Sequence, residues 1–127
     1  MNDKIRRALE TDMLIDIITT GAKTGLPRET EIWFMNIEGR IIICGTPDAD
    51  GRRGRDWLAN MKANPQFLFC LKESVKAQLR ARAVPIVDPE DRRRLMTAPE
   101  TRWYREQGNT IEEIVEYSPI VEVVFED

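Results

Sequence analysis

Histidine is absent from the chain and cysteine occurs only twice. The first absence excludes Ser-His-Asp and Cys-His nucleophilic machinery, together with any zinc site built on a histidine ligand. Two cysteines are too few for a zinc-ribbon cluster. No apolar run approaches the ~18 residues of a membrane span. The N-terminus also lacks the charged-then-apolar order of a signal peptide, so a cytoplasmic protein with no membrane span is expected. An excess of basic charge is missing too: 19 Lys plus Arg stand against 22 Asp plus Glu, a net −3. That balance argues against a nucleic-acid partner.

What remains is an ordinary globular composition. The hydrophobic share is 42% and the charged share 32% over 127 residues, which predicts one folded domain spanning 1–127. Cys44 and Cys70 each lie in an apolar, strand-like run. Buried thiols in a reducing compartment are the plain reading; a disulfide or a reactive thiol is the alternative. The charge is unevenly divided, because residues 106–127 hold seven acids and no base. Ile111, Ile114, Val115, Val121, Val123 and Phe125 make this segment too apolar for a solvated tail, so it is expected to fold back onto the body.

Periodicity places a short amphipathic helix at 5–9 and strands at 13–20, 30–37, 40–45, 66–71, 75–82 and 119–125. Glu38-Gly39 reads as a tight hairpin. Helices are expected at 55–63, stopped by Asn64-Pro65, from the Asp88-Pro89 start through 105 with a break near Pro99, and at 111–116. Residues 75–82 alternate strictly between apolar and polar, the signature of a sheet with one wet face. Hairpins follow one another without a helix after each strand. The fold class is therefore mainly β with helices (α+β), a mostly antiparallel sheet whose six strands favour a small barrel.

Two stretches offer anion-binding chemistry. In 21–28, Gly21 and Gly25 permit close backbone approach while Lys23, Thr24 and Arg28 supply two cations and a hydroxyl. An ordinary hairpin turn with solvated charges is the alternative. A nucleoside-triphosphate P-loop is excluded, since Ala22 stands where glycine would precede Lys-Thr and no helix follows. In 52–57, Arg52, Arg53 and Arg55 lead into a helix start, which favours an anion; a solvated basic loop with Trp57 as core is the alternative. Trp33, Phe34, Trp103 and Tyr104 form a third set, able to wall a flat ligand or to fill a core or dimer interface.

The run Thr19-Thr20-Gly21-Ala22-Lys23-Thr24-Gly25-Leu26-Pro27-Arg28, two paired strands, a polar loop, and then Trp57-Leu58-Ala59-Asn60-Met61-Lys62-Ala63-Asn64-Pro65 resembles the deazaflavin-dependent nitroreductase family. These are flavin and deazaflavin oxidoreductases of the pyridoxamine-phosphate-oxidase-like superfamily. The resemblance covers residues 13–97 and implies a six-stranded antiparallel split β-barrel of the FMN-binding type, as a homodimer. By position, Lys23 and Arg28 match the cations on the coenzyme's phosphate and acidic tail, with Thr24 beside them. The strand beginning at Thr30 matches the backbone along the ring. Thr46 matches a hydroxyl at the ring's reactive edge, while Trp57, Asn60 and Asn64 match positions that line the site.

The implied activity is hydride transfer from a reduced deazaflavin (coenzyme F-420) to a small organic acceptor: a nitroaromatic, quinone or activated alkene. An FMN-binding oxidoreductase of the same fold and a non-catalytic flavin, deazaflavin or tetrapyrrole carrier are the alternatives. Such chemistry needs no histidine, because the cofactor carries it. Tyr104 and Tyr117 are the candidate proton donors, and no metal is called for. Two family cations are replaced here, by Ala22 and Pro47. Arg52, Arg53 or Arg55 is expected to compensate.

Overall fold

The computed structural model describes residues 1–48 and 55–126. Helix α1 (Asp3–Thr11) starts where the Asn2 side chain accepts the Ile5 N–H at 2.8 Å, and it buries Ala8 and Leu9. Strand β1 (Leu14–Thr20) alternates, with Ile15, Ile17 and Thr19 buried. Its return strand β2 (Pro27–Trp33) begins at the end of the 21–26 turn, with no intervening helix.

The expected single strand over 30–37 is two. Phe34 ends β2 by turning into the core, where it is 1% exposed and meets Phe69 edge-on at 5.2 Å. Strand β3 (Met35–Ile37) then leaves in a new direction. That break raises the count from the expected six strands to seven. Glu38-Gly39 is the anticipated tight turn, with φ of 53° and 88° at the two positions, the twist a two-residue hairpin needs. It leads into β4 (Arg40–Cys44).

Helix α2 (Asp56–Ala63) ends at Asn64, ahead of Pro65. Strands β5 (Gln66–Leu71) and β6 (Ala77–Pro85) form the next hairpin. The paired part of β6 lies later than the 75–82 alternation suggests, because Ser74 is held by Asp12 and keeps the turn open. Helix α3 (Pro89–Met96) has Asp88 as its cap and Pro89 in its first turn. A single 3-10 turn (Pro99–Thr101) and the short α4 (Arg102–Arg105) follow. Helix α5 (Ile111–Tyr117) opens on a Thr110–Glu113 capping box, and β7 (Ile120–Phe125) closes the chain.

The strands form one antiparallel sheet in the order β2-β1-β5-β6-β7-β4-β3. The acidic C-terminal segment therefore does fold back, as an interior strand between β6 and β4. It buries Val121 and Val123, while Glu122 turns outward to Arg40. The two edge strands, β2 and β3, are joined through Phe34 alone. The sheet must curl until its edges meet at that corner, leaving a split along the rest of β2. One core fills the curl, with Ile15, Ile17, Ile43, Phe69, Val121 and Trp57 among its members. A second covers the outer side of β3-β4-β7 beneath α3, α4 and α5, around Ile42, Leu95, Met96, Tyr104 and Ile114. Among the described residues no helix is long and apolar enough to cross a membrane.

Candidate functional site: two pockets flanking one helix

Helix α2 divides the site, and its 3.6-residue period explains how. Trp57, Asn60 and Met61 are buried against the barrel. Asp56, Ala59 and Asn60 line one flank, opposite Gly21, Ala22, Lys23, Thr24 and Arg28, around a concavity of about 280 Å³. Arg55, Leu58 and Lys62 fall on the other flank and border a second pocket of about 420 Å³. One eight-residue helix thus presents a core face and two working faces.

The first concavity depends on Asn60. Its Oδ1 accepts the Ala22 N–H at 2.8 Å, and its Nδ2 donates to Thr19 Oγ1 at 3.1 Å. Only 6% of Asn60 is exposed; its bond to Thr19 is buried and its bond to Ala22 partly so, and together they fix the turn against the helix. The Gly21 N–H donates to Leu26 O at 2.8 Å, and the Leu26 N–H to Thr24 Oγ1 at 3.2 Å. This leaves the Thr24 hydroxyl hydrogen available. Lys23 is exposed and makes no ion pair among the described residues. Arg28 reaches Asp56 only loosely, at 3.6 Å, with both side chains largely exposed. Two cations and a hydroxyl on a clamped turn are a donor set suited to phosphate.

Register defines what the split offers. The Gly21 N–H to Leu26 O bond and the Phe34 N–H to Met13 O bond bracket the β1–β2 ladder. Alternation between them turns the main-chain groups of Arg28, Thr30 and Ile32 toward β1. Those of Glu29, Glu31 and Trp33 point along the free edge. A flat heterocycle with alternating carbonyl and N–H groups could pair there.

Each expected site residue among the described residues has a defined place. Lys23, Thr24, Arg28 and Asn60 converge on the first concavity. Thr30 is half-buried on β2, and Asn64 reaches Thr20 O from behind the turn at 3.5 Å. Trp57 is 8% exposed within the core. Arg55 turns away from Lys23 and Arg28: its Nη2 donates to Thr46 O at 2.7 Å and Thr46 Oγ1 at 2.8 Å, beside the second pocket. Arg52 and Arg53 lie outside the described residues. Tyr104 is buried, its hydroxyl bonded to Gly45 O and 2.9 Å from Ser118 Oγ. Tyr117 is 40% exposed and borders the second pocket.

Both cysteines are free thiols. Burial pushes the Cys44 thiol up to about 12, against the opposing pull of Arg55 and Arg92. Burial, with Asp16 and Glu29 nearby, raises Cys70 as well. Neither is a nucleophile at neutral pH. Among the described residues no cluster of acids and cysteines could hold a metal ion.

Sequence reasoning missed Arg92 and Lys62 as pocket residues. Arg92 sits in the run Arg92-Arg93-Arg94, where only the packing of α3 distinguishes the inward guanidinium. Its Nε donates to Val115 O and its Nη1 to Ile86 O, each at 2.7 Å, and its Nη2 donates to Ser118 O.

Comparison with solved structures agrees with this architecture. A conserved hypothetical protein of Mycobacterium tuberculosis superposes with a TM-score of 0.72 at 17% identity, covering 100% of this chain and 82% of that one. A putative 5-nitroimidazole antibiotic resistance protein of Bacteroides thetaiotaomicron gives 0.67 at 15% identity, with the same coverage. A putative pyridoxamine 5'-phosphate oxidase of Listeria innocua gives 0.65 at 13% identity, covering 98% and 93%. These likenesses establish the split-barrel fold. The F420H(2)-dependent quinone reductase family model matches residues 2–114. The chain belongs to that family, and is thus a deazaflavin-dependent oxidoreductase.

Proposed function

We propose that this protein reduces a quinone-type acceptor, gripping the coenzyme's phosphate between the 21–28 turn and α2. The ring would lie along the free edge of β2 toward Thr46. The observation that carries this reading is the convergence of Lys23, Thr24 and Arg28 on a turn pinned by Asn60. When bound, the reduced deazaflavin supplies a hydride. The chain's own work is orientation: two cations fix the phosphate, and the edge amides of Glu29 and Glu31 set the ring's height in the split. Reduction of a quinone to a hydroquinone also takes a proton. Tyr117, solvent-reached and beside the second pocket, is better placed to pass it than Tyr104, whose hydroxyl is committed to Gly45 O.

The test is anaerobic mixing of the chain with F420H2, then a quinone, following recovery of the oxidised deazaflavin spectrum. Oxidation that requires both protein and quinone supports the reading. Tight coenzyme binding without turnover across quinones, nitroaromatics and activated alkenes would make the protein a carrier.

A homodimer accompanies this reading. No helix covers the outer face of β2-β1-β5-β6 among the described residues. Register lines up Glu29, Ile18, Leu68 and Arg80 in one row across those four strands. Rotation by a half-turn about an axis along the strands, between β1 and β5, sets Glu29 over Arg80 of a second copy and Ile18 over its Leu68. Four strands at about 4.8 Å spacing give a face roughly 15–20 Å wide, toward the small end of stable interfaces. Sedimentation should show a dimer that Glu29→Arg weakens and Glu29→Arg with Arg80→Glu restores. A monomer at high concentration would refute this interface.

A further inference from the structure

The second pocket has chemistry that the coenzyme grip does not use. Three cations from two helices border it: Arg55 at the start of α2, Lys62 on the next turns of the same flank, and Arg92 from α3. Among the described residues, no carboxylate forms an ion pair with any of the three. Asp48 and Glu116 also border the pocket, so the described lining residues carry an excess of one positive charge.

Two of the cations are held in place by neutral groups. Arg92 is half-buried, and its three hydrogen bonds go to main-chain carbonyls of Val115, Ile86 and Ser118. Carbonyls satisfy donors without cancelling the charge. Arg55 lies across Gly45 toward Thr46. A Cβ at residue 45 would stand 2.7 Å from its Nε and 2.8 Å from its Cζ, so only glycine admits that path. Both guanidiniums also act on Cys44, a thiol that stays neutral. Two guanidiniums therefore flank the same neutral thiol, and each keeps its charge for an anion entering the pocket. Leu58, Ile86, Val87 and Pro119 add apolar wall, which suits a flat ring carrying the anion.

We propose that this pocket takes the acidic substituent of the acceptor, a sulfonate or carboxylate on a flat quinone, with Arg55, Lys62 and Arg92 as its cationic wall. It rests on the quinone-reductase reading for the identity of the ring. Selection of acidic over neutral acceptors follows. The site adjoins Thr46 through Arg55, the end toward which the proposed coenzyme ring would point.

The test separates this from reduction itself. Cofactor-free protein is titrated calorimetrically with anthraquinone-2-sulfonate and with neutral 2-(hydroxymethyl)anthraquinone, at low and at high salt. About tenfold or greater preference for the sulfonate is expected, diminishing with salt. Lys62→Glu, an exposed change, should remove most of it, and Gly45→Ala should reduce it by displacing Arg55. Equal affinities overturn the proposal. So does a preference that survives Lys62→Glu, or one abolished instead by Lys23→Ala, which would place the anion at the coenzyme's phosphate grip. Absence of quinone turnover would refute the reading of function while leaving this binding result to stand or fall separately.

Discussion

Replacing Asn60 by Ala removes the bonds that hold the Ala22 amide and the Thr19 hydroxyl. The buried Thr19 hydroxyl would lose its hydrogen-bond mate, at a cost of about 1–3 kcal/mol, while the exposed Ala22 amide can turn to water. Urea unfolding should report that loss, and coenzyme affinity should fall further because the 21–28 turn is freed. An unchanged affinity in a folded Asn60→Ala would remove the turn from the site. Cys44 makes a different prediction. Its folded-state pKa, about 12, lies above the ordinary thiol value of 9.0. The unfolded thiol therefore loses its proton first, and stability falls as pH rises from about 9 toward 12. Cys44→Ser should flatten that part of the curve. The cations of the 21–28 turn were legible in sequence because their chemistry is intrinsic. The reach of Arg55 toward Thr46 was not, since its direction depends on the missing side chain at Gly45.

At the scale of elements, the Asp88-Pro89 start and the Asn64-Pro65 stop were legible because capping is local and acts within a turn. The break at Phe34 was not, because residues 30–37 have continuous strand propensity and only the core position of Phe34 divides them. Phe34→Ala should cost about 3–5 kcal/mol, more than an ordinary strand truncation, since it opens the corner where the sheet edges meet. Arg40 ties three elements, donating to Asp91 of α3 at 2.8 and 2.9 Å and to Glu122 of β7 at 2.8 Å. Bonds from Arg40 and then Arg94 hold the Asp91 carboxyl well below its usual range. A depressed carboxylate pKa contributes stability above the unfolded value of 3.8, and that contribution is lost as pH falls below it. Asp91→Asn should make the protein less stable at neutral pH and reduce the acid dependence of its unfolding midpoint.

For the whole molecule, composition excluded histidine-based catalysis, and hairpin order indicated the antiparallel sheet. Closure into a split barrel was anticipated from the run of hairpins and the resemblance, but the order of strands was not, since linear spacing does not show that the last strand inserts between β6 and β4. The same fold sets the proposed phosphate grip and the proposed acceptor pocket on opposite flanks of α2, a placement invisible to linear spacing. The central claim is that Lys23 and Arg28 hold the coenzyme by its phosphate. It is tested most directly by binding two ligands, the complete deazaflavin coenzyme and the same deazaflavin without phosphate and acidic tail, to the native chain and to Lys23→Ala with Arg28→Ala. At about 1.5–3 kcal/mol per charge-assisted bond, the double variant should bind the complete coenzyme roughly a hundredfold to ten-thousandfold more weakly. Its affinity for the tail-less ring should be unchanged. Equal loss for both ligands, or no loss for either, would contradict the account.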